Sequence, residues 1–333
     1  MRKKNLYLYA LSIVFLLGCA LGAGAVLVFD SRPAAFDSKF ADVRQSAAQG
    51  SRLTNPLLEC RELPETISIG ERIGLQGKVE RLIEEGKREG KVSEAAVYFR
   101  DLNNGPWFGV NESEKFSPAS LLKIPLAISF FKQIESQPDI LLRQIQYEKG
   151  TEKYELNQPF RPVQELENEK MYSTEELINI MLVDSSNEAA LVLSQLAGEK
   201  QIEDTYRDFG QEVPVFGKDM EIDVRTFASF FRILFNATYL DILSSEQMLS
   251  MLTQTTFKEG IAAGVPAGVV VAHKFGSREI IGQAGSKQLH DCGIVYIPET
   301  PYIVCVMTQG DDFNELASFI KEISVLVYEE VGM

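Results

Sequence analysis

The chain has 333 residues, with 47 acidic side chains against 33 basic ones, a formal net charge of −14 and only two histidines, His273 and His290. The acidic balance excludes the positive footprint that a nucleic-acid binder needs. Two histidines and four scattered cysteines leave little for a zinc or iron centre, and a Ser-His-Asp triad would have to draw on one of those two imidazoles.

The first element is Leu6–Phe29, LYLYALSIVFLLGCALGAGAVLVF, 24 residues without a charge. As a helix it spans roughly 30 Å of hydrocarbon. Arg2, Lys3 and Lys4 precede it and Asp30 follows, so the cationic tip stays cytoplasmic and the rest of the chain is extracytoplasmic. The run exceeds the about 7–15 apolar residues of a cleaved signal peptide. Leu16-Leu17-Gly18-Cys19 loosely resembles a lipid-attachment box, but the apolar run continues ten residues past Cys19. The expectation is a single-pass anchor in the cell membrane over residues 1–30. Without residues 1–29 the chain keeps 30 basic and 47 acidic residues, a net of −17. A domain with that charge is not drawn to anionic polymers or lipid head groups.

Residues 31–74 read as an extracytoplasmic linker, rich in Ser, Ala, Asp, Pro and Gly, with Asn55-Pro56-Leu57-Leu58 as an apolar island able to dock on the main domain. Residues 75–333 carry globular patterning. A short amphipathic helix is expected over Gly77–Gly86, a strand over Ala95–Leu102, a hairpin turn at Asn104-Gly105 and a returning strand at Trp107–Val110. A helix follows at Ser120–Glu135, then a polar loop, Lys149–Lys170. Helices are expected at Thr174–Leu182, Asn187–Leu196, Ile202–Phe209, Val224–Phe235 and Ser245–Leu252. Strands return at Val269–Lys274, Gln288–Ile297 and Tyr302–Met307, and a last helix covers Phe313–Glu329. This order predicts an α+β fold: an antiparallel sheet built from both chain ends, with an all-α subdomain over about 120–255 inserted between. Of the three cysteines after the anchor, Cys60, Cys292 and Cys305, at most one pair can bridge. Cys292 and Cys305, in apolar strands, suit buried thiols as well as a disulfide.

Ser120-Leu121-Leu122-Lys123 solves the shortage of histidine. Residues three apart on a helix share a face, and a desolvated lysine amine can act as base for a serine hydroxyl. S-x-x-K also occurs at Ser129 and Ser318, but only Ser120 lies at an expected helix start, where free N–H groups face a developing oxyanion. Ser185-Ser186-Asn187 joins two expected helices; its hydroxyl and amide can relay a proton and hold an amide, or simply cap a helix. Lys274-Phe275-Gly276 ends a β-branched run, where a lysine can hold a carboxylate and a glycine admits close backbone approach.

These three motifs, in this order and on these elements, resemble those of the penicillin-recognising serine enzymes, most closely class A β-lactamases and low-molecular-weight penicillin-binding proteins. The matching residues are Phe116–Pro125 (FSPASLLKIP), Ser185–Asn187 (SSN) and His273–Gly276 (HKFG), with Tyr172–Leu177 (YSTEEL) before the second motif. The resemblance covers residues 76–333 and implies a β-lactamase/transpeptidase-like fold. It implies Ser120 as nucleophile, Lys123 as its base and Ser185 as proton donor to the leaving nitrogen. It further implies Asn187 on the substrate amide, Lys274 on the substrate carboxylate, and an oxyanion hole of the Ser120 and Ser277 N–H groups beside Gly276. No cofactor or metal is implied.

Two departures stand out. Phe275 replaces the usual hydroxyl residue of the third motif, and Ser277 is the nearest substitute. No E-x-x-L-N string follows Asn187; the corresponding stretch, Gln211–Asp223, offers Glu212, Asp219, Glu221 and Asp223, with Glu221 favoured. The expected function is a monomeric, membrane-anchored serine acyl hydrolase that opens β-lactams through acyl-Ser120. The alternatives are a D-Ala-D-Ala carboxypeptidase acting on peptidoglycan and a non-catalytic envelope peptide-binding protein.

Overall fold

The computed structural model describes residues 53–55, 69–103, 106–150, 158–210, 220–279, 287–298 and 300–332. The expected anchor, Cys60, the Asn104-Gly105 turn and residues 211–219 lie outside the described residues. Among the described residues no helix is long and apolar enough to cross a membrane.

The central sheet has five strands in the order β2-β1-β9-β8-β7, every pair antiparallel. β1 (Glu94–Asp101) and β2 (Trp107–Val110) come from the start of the domain, and β7 (Val270–Glu279), β8 (Lys287–Tyr296) and β9 (Tyr302–Gly310) from its end. β9 joins the two chain ends, pairing Val97 with Val306 on one side and Cys292 with Cys305 on the other. Both faces of β9 are covered, so its sequence is a continuous apolar run rather than an alternation. Tyr302, Val304 and Val306 face one core, with α1 (Ile69–Glu89) and α8 (Phe313–Val331). Ile303, Cys305 and Met307 face the other, beneath the helical block.

That block holds α2 (Lys123–Gln133), α3 (Thr174–Val183), α4 (Asn187–Ala197), α5 (Glu199–Asp208), α6 (Val224–Phe235) and α7 (Ile242–Thr253). Its starts follow capping chemistry. Ser173 and Glu176 form a reciprocal capping box on α3, and Ser186, Asp223 and Asp241 cap α4, α6 and α7. The α+β architecture is the expected one, with differences at the edges. α1 is longer than the expected Gly77–Gly86 helix, beginning at Ile69 within the stretch read as linker. β7 runs on five residues past Lys274, because its pairing with β8 continues to Glu279–Lys287. Four short strands flank the block: β3 (Lys115–Phe116) pairs with β6 (Ile222–Asp223), and β4 (Gln144–Gln146) with β5 (Met171–Ser173). These segments are too short to show periodicity.

Two details concern the expected linker and cysteines. Residues 53–55 dock on the domain: the Leu53 and Thr54 N–H groups donate to Glu246, Asn55 N–H to the Phe235 carbonyl, and Tyr296 Oη to the Leu53 carbonyl. Cys292 and Cys305, opposite each other on β8 and β9, form a disulfide rather than remaining thiols.

Candidate active site

The Ser120 turn is built by the chain around it. Ser117 and Pro118 lead into a 3₁₀ turn, Ala119–Leu122, and α2 begins at Lys123 itself, slightly later than the expected helix start. Ala119 has φ +47°, a left-handed conformation uncommon outside glycine, and is held there by its surroundings. Ser117 supplies that framing: its N–H donates to Gln288 Oε1 (3.1 Å), its Oγ accepts from Arg278 (2.9 Å), and its carbonyl lies 2.9 Å from His290 Nε2. The His290 Nδ1 accepts from the Thr308 N–H at 3.2 Å, so Nε2 carries the proton and donates to Ser117. Burial pushes the His290 imidazole down to about 4, which keeps it neutral in this role.

Lys123 is the hub. Its Nζ lies 3.0 Å from Ser120 Oγ, 3.1 Å from Ser185 Oγ, 2.5 Å from the Ser185 carbonyl and 2.7 Å from Asn187 Oδ1. The side chain is 5% exposed, and burial, with Lys274 adding like-charge repulsion, holds its amine well below the usual lysine range. An amine so placed can accept a proton from the serine hydroxyl. No Asp or Glu of the described residues hydrogen-bonds Lys123 or Ser120. Of the other two S-x-x-K serines, Ser129 spends its hydroxyl on the Leu126 carbonyl, with its Lys132 paired to Glu135, and Ser318 is exposed on α8, its hydroxyl toward Glu322.

The second motif divides its labour. Ser186 caps α4 through the Ala189 N–H, so capping does not consume Ser185. Ser185, fully buried with φ +59°, turns both its hydroxyl and carbonyl toward Lys123. Asn187, the first residue of α4, gives its side-chain oxygen to the same amine.

The third motif is brought beside the Ser120 turn by Gly276. A Cβ there would lie 3.0 Å from the Pro118 carbonyl and 3.1 Å from Leu121 N, so only glycine lets β7 approach this closely. Ser277 follows it, half-buried. Lys274 is fully buried: its Nζ donates to the Phe275 carbonyl (3.0 Å) and sits 4.4 Å from the centre of the Phe275 ring. Burial lowers its amine to about 7, against opposing pull from Asp291 and Asp184. The Phe275 ring, which the Lys274 amine overlies, packs into the core beside α8, where it stacks on Phe257 at 4.4 Å.

Neither histidine serves Ser120. His273 Nδ1 meets Asp291 Oδ1 at 2.8 Å, the orienting half of a triad, but both side chains have zero exposure and His273 Nε2 has no partner. Of the acids expected to stand in for a deacylation base, Glu221 is exposed and Asp223 is committed to the α6 cap and to Lys115. Glu212 and Asp219 lie outside the described residues.

Sequence reasoning missed three participants. Asp184, immediately before Ser185, is 7% exposed and leaves Oδ1 without a hydrogen bond; burial raises its carboxyl, with Thr256 and the Val163 backbone nearby pulling the other way. Gln158 Nε2 donates to the Ser185 carbonyl at 2.8 Å, and Phe160 packs on Phe275. An acid closing an apolar helix was a readable signal; Gln158 and Phe160 sit in a polar loop that offered none.

No curated protein matches the chain. Among solved structures, PBP-A is 21% identical with a TM-score of 0.62, the match covering 84% of this chain and 98% of that one. A β-lactamase from Xanthomonas campestris is 19% identical with a TM-score of 0.65, covering 78% and 99%. The TLA-3 extended-spectrum β-lactamase is 15% identical with a TM-score of 0.67, covering 77% and 99%. At these identities the likeness shows the fold. The sequence profile of the β-lactamase enzyme family matches residues 75–331, and the chain belongs to that family.

Proposed function

We propose that the protein is a serine acyl hydrolase acting on β-lactams, acylated at Ser120 and slow to deacylate. The observation that carries this reading is the Lys123 amine, buried among Ser120 Oγ, Ser185 and Asn187. In the first step neutral Lys123 takes the Ser120 proton while the oxygen attacks the lactam carbonyl. The N–H groups of Ser120 and Ser277 face the resulting oxyanion. The proton then passes from Lys123 through Ser185 to the lactam nitrogen as the C–N bond breaks, leaving the acyl ester on Ser120. Asn187 holds the substrate amide, and Lys274 holds its carboxylate. Hydrolysis of the ester needs a base for the water, a contribution worth about 10²–10⁴-fold. Glu221 and Asp223 are turned to solvent or to structural bonds, which supports slow turnover.

Slow turnover also favours a second reading, a penicillin-binding carboxypeptidase that acts on the D-Ala-D-Ala end of peptidoglycan peptides. Both chemistries share the acylation apparatus. The penicillin acyl-enzyme of a PBP-A variant, 22% identical, is a precedent for penicillin acylation on this fold. The charge-free Leu6–Phe29 run and the Cys292–Cys305 disulfide support a domain tethered outside the cell membrane, where disulfides persist. Labelling with fluorescent penicillin followed by a chase tests the reading. Rapid loss of label from wild type indicates a true β-lactamase, and a persistent label indicates the penicillin-binding alternative. No label at any dose excludes both and leaves the non-catalytic peptide-binding alternative.

A further inference from the structure

Lys274 is placed to meet a substrate carboxylate, yet it has zero exposure and its amine is turned onto its own strand. The segment Gln158–Val163 packs beside it, on the Ser185 turn and on Phe275. At one end Gln158 Nε2 bonds the Ser185 carbonyl, the same oxygen that Lys123 uses. Two residues on, Phe160 meets three rings edge-on: Phe257 at 5.0 Å, Phe275 at 5.6 Å and Phe313 at 5.8 Å. These rings come from three separate places: the loop after α7, β7 and the start of α8. The Val163 backbone then lies beside Asp184, whose carboxyl it lowers. The segment therefore spans from the helical block to the sheet, tied to the Ser185 turn through Gln158 and seated on the residue next to Lys274. It also gives Phe275 a role. Where a hydroxyl would help hold a carboxylate, this chain has a ring that receives another ring.

We propose that Phe160 is a specificity-determining residue. Seated on Phe275 and Phe257, it closes the Lys274 corner, so that acyl donors lacking a free carboxylate are favoured until it leaves. Specificity then comes from denying one anion its cation rather than from adding a contact to the preferred substrate. The inference rests on the assignment of Ser120 as nucleophile and Lys274 as the carboxylate's partner.

The test compares wild type, Phe160→Ala and Gln158→Ala, the last releasing the segment at its other tie, with folding verified by thermal melts. Two quantities are read. One is the ratio of acylation rates for benzylpenicillin and its neutral methyl ester. The other is reductive methylation of Lys274, followed by peptide mass spectrometry against the exposed Lys258. The expected result is a ratio raised about tenfold in both variants, the order of one charge-assisted hydrogen bond, together with faster Lys274 methylation. An unchanged ratio in folded variants would overturn the proposal, whatever the methylation shows. Unchanged methylation would overturn the closure itself. Absence of acylation in all three proteins, with methylation still raised, would overturn the Ser120 assignment while supporting the closure.

Discussion

Ser185 presents both its oxygens to Lys123, the carbonyl at 2.5 Å and the hydroxyl at 3.1 Å. A backbone at φ +59° makes this possible, since it turns the carbonyl and side chain of one residue toward one point. Ser186 holds the helix cap that would otherwise occupy Ser185. The geometry joins the first two motifs at one amine, the arrangement that the proposed proton path uses.

Lys123→Ala removes the proposed base while leaving Ser120 in place. Acylation by penicillin should fall about 10²–10⁴-fold. Stopped-flow acylation kinetics measure it, and near wild-type rates would assign the proton to another group.

Gly276→Ala tests the close approach of β7. The added Cβ meets the Pro118 carbonyl and Leu121 N at 3.0–3.1 Å, both backbone atoms of the Ser120 turn. The neighbours must move by a few tenths of an ångström, which displaces Ser277 N–H relative to Ser120. The expected effect is a loss of about ten- to a hundredfold in acylation, with a much smaller change in melting temperature. Equal activity in the variant would mean that this register is not needed.

The buried lysines give stability a pH dependence of definite sign. The folded Lys274 amine sits at about 7, against 10.5 ordinarily. Between those values the unfolded chain binds the proton that the folded chain refuses. Stability should therefore rise as pH increases from about 7 toward 10.5, by up to about 1.4 kcal/mol per pH unit per group. Lys123, shifted in the same direction by burial, adds to the rise. Lys274→Met should flatten the dependence in urea titrations from pH 7 to 10. A profile as steep as wild type would show that Lys274 is not the source.

The disulfide closes a short loop, 13 residues apart in sequence. Replacing Cys292 and Cys305 together with alanine should cost about 3 kcal/mol in urea unfolding. An unchanged midpoint would indicate that the strand pairing alone sustains this part of the sheet.

Much of the fold was legible because it rests on local patterns. β2 and α6 coincide with their expected spans, since Trp107–Val110 alternates and Val224–Phe235 follows a capping aspartate with helical spacing. The Ser120, Ser185 and Lys274 motifs were legible through residue type and element order. The illegible features join segments remote in sequence. Gln158 meets Ser185, and Phe160 meets Phe275 and Phe313, contacts that no single-element periodicity encodes. Lys274 illustrates the difference. Its position on a strand could be read, but not its burial.

The central claim is that Ser120 is an activated nucleophile, and intact-protein mass spectrometry after incubation with benzylpenicillin tests it most directly. The account predicts a mass increase equal to one penicillin on the wild type, located on the peptide containing Ser120 and absent from Ser120→Ala. An unmodified wild type at saturating penicillin, or an adduct that persists in Ser120→Ala, would contradict it.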